Sequence, residues 1–492
     1  MSDSDKNKTA PAQDAAAYFG PLFMPKTVAI VGASSTSETI GNTFLRRIKE
    51  YGFKGDIYPI HPKADEIDGC KVYPSLAETP KPVDYAFIAV GAASVAKVIA
   101  SAKGRLKFAQ VISSGFGEVA EGVSLQQDLI EAARTNDCRV LGPNCLGLYS
   151  PRGGITFVEA SSPDIGSVGV ISQSGGLGTD IVTRGQRRGV KFSGVVSIGN
   201  CADLGPTDLF EFYLADPQTK VIGAYLEQVR DGRRFFESLR AAKARKPVVI
   251  LKGGRTEQGS RAAASHTGAL AGNESVWLAL SKQTGCVLVD TLDEFIDTLL
   301  AFQNLEPRAD RPSDRIMLFG NGGGTSVLAS DFYARRGLSM PPFDPKSVAA
   351  LRELNLPPGT SIDNPVDAPV GTLRQEEGGI AEKNMDAIYA HSKPDALVMH
   401  LNMAAFRGRT PPSVMENLLK AAFRIQERYP GQAHFLLALR SEGDPETEDI
   451  KRHFRQIALD AGVPVFDELS NAAIALAALK FYETFKRDHV KG

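Results

Sequence analysis

Cysteine is scarce in this 492-residue chain, and its five copies (Cys70, Cys138, Cys145, Cys201 and Cys286) are scattered without a CxxC pair. A disulfide framework or a zinc site is therefore not expected. The seven histidines are dispersed and form no HExxH, so no metal site is assigned and a metal-centred hydrolase has no support. An excess of either charge is also missing: 56 Lys+Arg stand against 57 Asp+Glu, for a formal net charge of -1. That balance excludes a broad polybasic surface for nucleic acid but leaves room for a local anion pocket. No apolar run approaches the ~20 residues that span a bilayer. Met1 to Gln13 is polar and has no apolar signal core, so a cytoplasmic chain without membrane attachment is expected.

What is present is a 43% hydrophobic content, enough for ordinary cores. At ~150 residues per domain the length suggests about three domains. Residues 1–17 read as a disordered tail rich in Ser, Asp, Lys, Gln and Ala. Strand and helix patterns then alternate. Thr27–Val31, Asp56–Ile60, Asp84–Val90, Phe108–Ser113 and Arg139–Gly142 read as buried parallel strands of a first unit, residues 18–150. Val168–Ser172, Gly194–Ile198, Val221–Leu226, Pro247–Lys252 and Cys286–Val289 follow, with Asp293–Phe302 as a closing helix, giving a second unit over 151–306. A charged, Pro-containing stretch, Pro307 to Ser313, reads as a linker. A third unit, 314–492, takes strands from Arg315–Phe319, Ala396–Leu401 and His434–Leu439 and ends in a helix over Ala472–Lys486. The expected class is α/β with doubly wound parallel sheets.

Three strands end in small residues just before a helix: Gly32-Ala33-Ser34-Ser35, Ser172-Gln173-Ser174-Gly175-Gly176 and Gly320-Asn321-Gly322-Gly323-Gly324-Thr325. Unpaired N–H groups at a helix start, helped by the helix dipole, bind phosphate. Each glycine can equally serve only to close a tight turn. Three such turns favour a phosphate-rich substrate, while the missing GxGxxG weakens a nicotinamide reading. Lys63 follows the second strand and is either a point charge for a phosphate or a solvated lysine. Ser113 to Glu118 and Gly142-Pro143-Asn144 lie at further strand ends, where ligands gather in open sheets.

Arg261 to Gly272 places one imidazole, His266, among small residues. Neutral imidazole is a nucleophile near pH 7 and can carry a phosphoryl group. A loop of small residues would let it reach more than one site; the competing reading is a helix capped by Ser265 or Thr267. Glu227, at the end of Val221–Leu226, could orient that ring through one nitrogen. Alternatively it pairs with Arg230 or Arg233. His400, at another strand end, is expected to be structural.

Together, VAIVGASS, YPIHPK, SSGFGE, LGPNCLG, GVISQSGGLG, VSIGNCADLG, YLEQVRDGRRF, SHTGALAG and SIDNPVD, ordered along most of residues 20–460, resemble the NDP-forming acyl-CoA synthetases. That superfamily includes succinyl-CoA synthetase and ADP-forming acetyl-CoA synthetase, and the layout is similar to the α subunit of the latter. The resemblance implies a Rossmann-like CoA-binding domain followed by two flavodoxin-like ligase domains. It implies a phosphorylated His266, steadied by Glu227. It implies a phosphate held at Ser174, Gly175 and Gly176 and a second phosphate-facing helix start at Gly322, Gly323 and Gly324. Gly32, Ser34, Ser35, Lys63 and Asn144 fall on the CoA segments; Gly91 stands where the family has proline. The activity implied is ligation of a small carboxylic acid to coenzyme A. No nucleotide-binding segment of ATP-grasp type follows the third domain. The resemblance therefore implies ATP or ADP with Mg2+ on a separate β subunit, in a heterotetramer. A CoA- or acyl-CoA-binding regulator without chemistry and a Rossmann oxidoreductase are the alternatives.

Overall fold

The computed structural model describes residues 15–267 and 273–489, with side chains from 264 to 267 left out. It divides into two compact units, one running to Leu292 and the other from Asp293.

The first unit holds two sheets. Strands β1 (Thr27–Val31), β2 (Asp56–Ile60), a small hairpin of β3 (Glu66–Ile67) and β4 (Cys70–Lys71), β5 (Val83–Ile88), β6 (Leu106–Val111) and β7 (Arg139–Leu141) come first. Apart from the hairpin they form a parallel sheet in the order β2-β1-β5-β6-β7. Next come β8 (Gly147–Tyr149), β9 (Val168–Ser172), β10 (Phe192–Ser197), β11 (Val221–Leu226), β12 (Val248–Lys252) and β13 (Val287–Val289), ordered β13-β12-β11-β9-β10-β8. Only β8 is antiparallel to its neighbour. The central strands β1, β9, β10 and β12 are buried on both faces, which is why their sequences are mostly apolar runs rather than strict polar–apolar alternations.

The helices of this unit are α1 (Ala15–Phe23), α2 (Ile40–Tyr51), α3 (Ala92–Ala100), α4 (Val123–Thr135), α5 (Gly175–Arg188), α6 (Pro206–Ala215), α7 (Gly232–Ala241), α8 (Glu257–Thr267) and α9 (Glu274–Thr284). Two expectations need correction. Residues 15–17 are not tail but the start of α1; Gly20 and Pro21 inside this helix disguise it in the sequence. Phe19, Leu22 and Phe23 of α1 are buried, and the Phe23 ring stacks on Phe212 of α6 at 3.9 Å. Each such burial contributes roughly 1.5–3 kcal/mol, enough to dock a short helix across the two sheets of this unit. Gly147–Tyr149, expected to close the first domain, instead forms the edge strand of the second sheet.

The second unit begins with α10 (Leu292–Asn304), read from sequence as the closing helix of the second domain, and continues through β14 (Ile316–Gly320) and α11 (Gly323–Arg335). Its other strands are β15 (Val366–Asp367), β16 (Ala396–Asn402), β17 (His434–Arg440) and β18 (Val465–Phe466), in the parallel order β15-β14-β16-β17-β18. A terminal helix, Leu469–His489, completes it.

Numbered from its own first parallel strand, each sheet has the order 2-1-3-4-5. This is the flavodoxin-like order, and its chain reversal lies between strands 1 and 3. The three small-residue turns follow β1, β9 and β14, the first strand of each sheet. They share a pattern because they occupy one topological position, the crevice where open sheets bind ligands.

Candidate active site

At the second sheet the β9–α5 turn is built around Ser174. It is the N-cap of α5, and its Oγ accepts the Leu177 N–H at 3.3 Å. Its own carbonyl accepts the Ser172 hydroxyl at 2.7 Å. The Gly175 and Gly176 amides meet no side-chain acceptor among the described residues. A Cβ at Gly175 would lie 2.8 Å from Leu146 Cγ, whereas one at Gly176 would meet nothing within 4 Å. Glycine is thus required for close packing at the first position and leaves open space at the second. The exposed donors at a 14-residue helix start can hold a phosphoryl group.

A cleft brings this turn together with Asn144, Leu146, Gln173 and Asn200. Asn144 comes from the first sheet, so of the sequence-assigned residues Ser174, Gly175, Gly176 and Asn144 share one wall. Asn200 joins the two sheets: its Nδ2 donates to Glu118 Oε2, and its Oδ1 lies 3.4 Å from Asn144 Nδ2. Burial would raise the Glu118 pKa, but hydrogen bonds from Asn200 and from the Gly115, Phe116 and Glu118 amides outweigh it and lower the pKa.

Gln173 carries the cleft to Glu227. Its Oε1 accepts the N–H groups of both Glu227 and Gln228, the latter at 2.8 Å, while its Nε2 donates to the Gln228 carbonyl at 2.8 Å. Glu227 is 6% exposed, and its Oε1 accepts the Tyr225 hydroxyl at 3.0 Å. Burial, reinforced by the Glu227 charge, raises the Tyr225 phenol. The alternative pairing is not formed: Arg230 donates to the Asn200 and Cys201 carbonyls, and Arg233 to Glu237. Lys252, at the end of β12, donates to the Glu227 carbonyl at 2.8 Å, and burial pushes its ammonium down to about 8.

His266 was expected on a loop. Its backbone is instead in the last turn of α8, while its imidazole and residues 268–272 lie outside the described residues. The run Arg261–Ala264 is good helix-forming sequence, and Arg261 pairs with Glu257 one turn back at 2.6 Å.

The remaining assigned residues sit elsewhere. Gly32 has φ +104, and a Cβ there would lie 2.3 Å from the Ala89 carbonyl oxygen, so only glycine fits the β1 turn. Ser34 donates its N–H to Asn42 Oδ1 at 2.9 Å. Ser35 lies in the same turn, and Lys63 is exposed beyond β2. These four border the carboxyl edge of the first sheet, apart from the cleft residues.

In the second unit, Gly322 (φ +119) precedes α11 and donates its N–H to Asp367 Oδ1 at 2.7 Å. A Cβ at Gly323 would lie 2.7 Å from Asp367 Oδ2, while Gly324 meets nothing within 4 Å. Arg440 donates to the Asn321 carbonyl at 2.7 Å and to Thr325 Oγ1 at 3.0 Å. Sequence reasoning gave no role to Tyr225, Lys252 and Arg440, and quoted Gln173 and Asp367 only as parts of longer motifs. For Lys252 and Arg440 the visible signal was a charged residue ending an otherwise apolar strand, as in VVILK.

Residues 26–151 match a CoA binding domain and residues 165–302 a succinyl-CoA ligase like flavodoxin domain. The alpha subunit of acetate–CoA ligase [ADP-forming] II from Pyrococcus furiosus is 33% identical over 461 residues, 93% of this chain and 96% of that protein. The chain belongs to the NDP-forming acyl-CoA synthetases. Within this family, acetate–CoA ligase [ADP-forming] II of Archaeoglobus fulgidus is 37% identical over 353 residues, 70% of this chain but 51% of that longer protein. A solved structure of Ca. Korarchaeum cryptofilum dinucleotide forming acetyl-coenzyme A synthetase 1, in complex with phosphate and ADP, matches with a TM-score of 0.82. That match has 31% identity and covers 96% of this chain and 98% of the other. Among the described residues, no helix is long and apolar enough to cross a membrane.

Proposed function

We propose that this chain is the α-type subunit of an acid–CoA ligase that interconverts acid, CoA and NTP with acyl-CoA, NDP and phosphate. The observation that carries the reading is the open start of α5, whose donors stand one glutamine away from Glu227. In the activation direction the His266 ring nitrogen carries the phosphoryl group. A carboxylate oxygen of the small acid attacks phosphorus, the P–N bond breaks, and its electron pair returns to the imidazole. Gly175 and Gly176 donate to the phosphoryl oxygens, and Glu227 orients the ring. The CoA thiolate then attacks the acyl carbon, the C–O bond breaks, and phosphate leaves with that electron pair. Fixed donors suit a transfer in which charge is spread over equatorial oxygens. Gly32, Ser34, Ser35, Lys63 and Asn144 are the proposed CoA contacts, and Gly322, Gly323 and Gly324 a second phosphate-facing turn.

The relatives named as alpha subunits imply a partner subunit. The partner proposed is a β subunit of ATP-grasp type, in a heterotetramer, binding the nucleotide with Mg2+; a cytoplasmic location follows from the same reading. His266→Ala, assayed with the partner, should lose turnover by roughly 10⁴-fold or more while still binding CoA. Undiminished turnover would remove the nucleophile. A parent chain that binds CoA but never acquires acid-labile phosphate would instead be the non-catalytic regulator.

A further inference from the structure

Glu227 lies one residue beyond the β11 ladder, where no neighbouring strand supplies its backbone partners. Side chains do so instead. Gln173, after β9, accepts its N–H, and Lys252, ending β12, donates to its carbonyl. The peptide carrying the carboxylate is therefore gripped from both flanking strands.

Gln173 needs no charge for this task, but Lys252 brings one. The residue is 6% exposed, its other hydrogen bond goes to the Gly253 carbonyl, and its Nζ stands 5.5 Å from the Trp277 ring centroid. Among the described residues no carboxylate forms an ion pair with it. A buried ammonium whose hydrogen bonds, among the described residues, go only to neutral oxygens is costly, and an apolar side chain would suit this end of Val248–Leu251 better. The second unit repeats the arrangement: Arg440 ends β17, the fourth strand there, and among the described residues donates to neutral oxygens of the β14 turn.

We propose that Lys252 is a positioning residue of the phosphoryl-transfer site, fixing Glu227 through its carbonyl and contributing a positive charge that the transfer requires. The inference rests on the roles given above to His266 and Glu227. The charged groups facing the ammonium are Glu227, whose hydroxyl partner is Tyr225, and Arg255, which is itself paired with Asp290 and lies 3.9 Å from Glu274; α9 contributes Trp277. Burial holds the ammonium near 8, Glu227 opposing and Arg255 assisting the depression. The residue is thus charged below that pH and neutral above it. A site that needs the charge slows as pH rises through 8, and an arginine there, charged throughout, does not.

The test supplies the full-length chain with a set of acyl-CoA thioesters of small aliphatic, dicarboxylic and aromatic acids, acetyl-CoA among them, and radiolabelled inorganic phosphate, without nucleotide, and follows acid-labile, base-stable label. His266→Ala should take none. Lys252→Met should label roughly 10²-fold more slowly yet melt no lower than the parent. Lys252→Arg should keep the label rate from falling between pH 7.5 and 9, where the parent's falls. Labelling of Lys252→Met at the parental rate overturns the proposal, as does a parental decline in Lys252→Arg. If Lys252→Met does not fold, the pH profile of Lys252→Arg decides. A parent that takes no label overturns the role of His266 and this inference with it; a parent and a Lys252→Met chain that label alike overturn this inference alone.

Discussion

The second sheet and the sheet of the second unit solve one topological problem with different residues. In both, an amide side chain follows strand 1 and accepts the N–H of a residue at the end of strand 3: Gln173 from Glu227, and Asn321 from Asn402 at 2.8 Å. In both, a cation ends strand 4 and donates to a backbone carbonyl of the turn region, Lys252 to Glu227 and Arg440 to Asn321. They diverge in acid placement. The first has its carboxylate, Glu227, beside the strand end and leaves the start of α5 open. The second has Asn402 there and sets Asp367 on the first amide of its turn. The scaffold fixes where donors stand. Where the carboxylate sits decides whether the first of them is open to an incoming anion or already engaged, as the Gly322 N–H is by Asp367.

The largest expected effect comes from making the first turn resemble the second. Gly176→Asp has room for its Cβ and places a carboxylate at the start of α5. A negative group there stabilises the helix by about 0.3–1 kcal/mol, so melting should not fall. Ligase turnover should drop roughly 10²-fold, because the same charge repels a phosphoryl group. Turnover within a factor of two of the parent would mean that the α5 amides do not hold phosphate. The reverse exchange is gentler. Asp367→Asn keeps an acceptor for the Gly322 N–H but removes the charge. Inorganic phosphate, titrated against the full chain by calorimetry, should bind about fivefold more tightly, the equivalent of ~1 kcal/mol. Unchanged affinity would argue that Gly322, Gly323 and Gly324 serve only their turn.

The sequence disclosed the parallel strands because buried βα units write themselves as apolar runs, and the limits of β1, β2, β9 and β11 are those read from the chain. It disclosed the three turns for the same reason. It did not disclose α1, whose Gly20 and Pro21 break a helical pattern that tertiary packing of Phe19 and Phe23 restores. Nor did it show that Gln173 links the β9–α5 turn to Glu227, since residues 54 apart meet only through sheet order. Small side chains around His266 suggested a loop, but alanines favour a helix equally well, and helix is what the backbone adopts there.

The smallest expected effect follows from the residue that corresponds to Tyr225. Strand register places Tyr225 beside Ser172, with its carbonyl accepting the Gln173 N–H; His400 stands beside Gly320, with its carbonyl accepting the Asn321 N–H. A phenol at this position does not titrate in acid, whereas an imidazole does. His400 is fully buried, its Nε2 lies 3.3 Å from Ser326 Oγ, and its Nδ1 has no partner among the described residues. Burial, with Arg440 nearby, pushes its pKa from 6.5 down to about 3. Between those values the unfolded chain binds a proton that the folded one refuses. The stabilisation is therefore complete above pH 6.5 and is lost progressively as pH falls towards 3. Going from pH 6.5 to 5.5, this one group should remove up to about 1 kcal/mol from the second unit. His434, also buried and lowered although Glu483 opposes the shift, acts in the same direction. Calorimetric melting across pH 7 to 5 should show the parent losing stability more steeply than His400→Gln. The slope is what matters, since the substitution also changes packing at every pH. Parallel slopes would mean that His400 takes up its proton without unfolding, and that this strand position differs from its Tyr225 counterpart in shape alone.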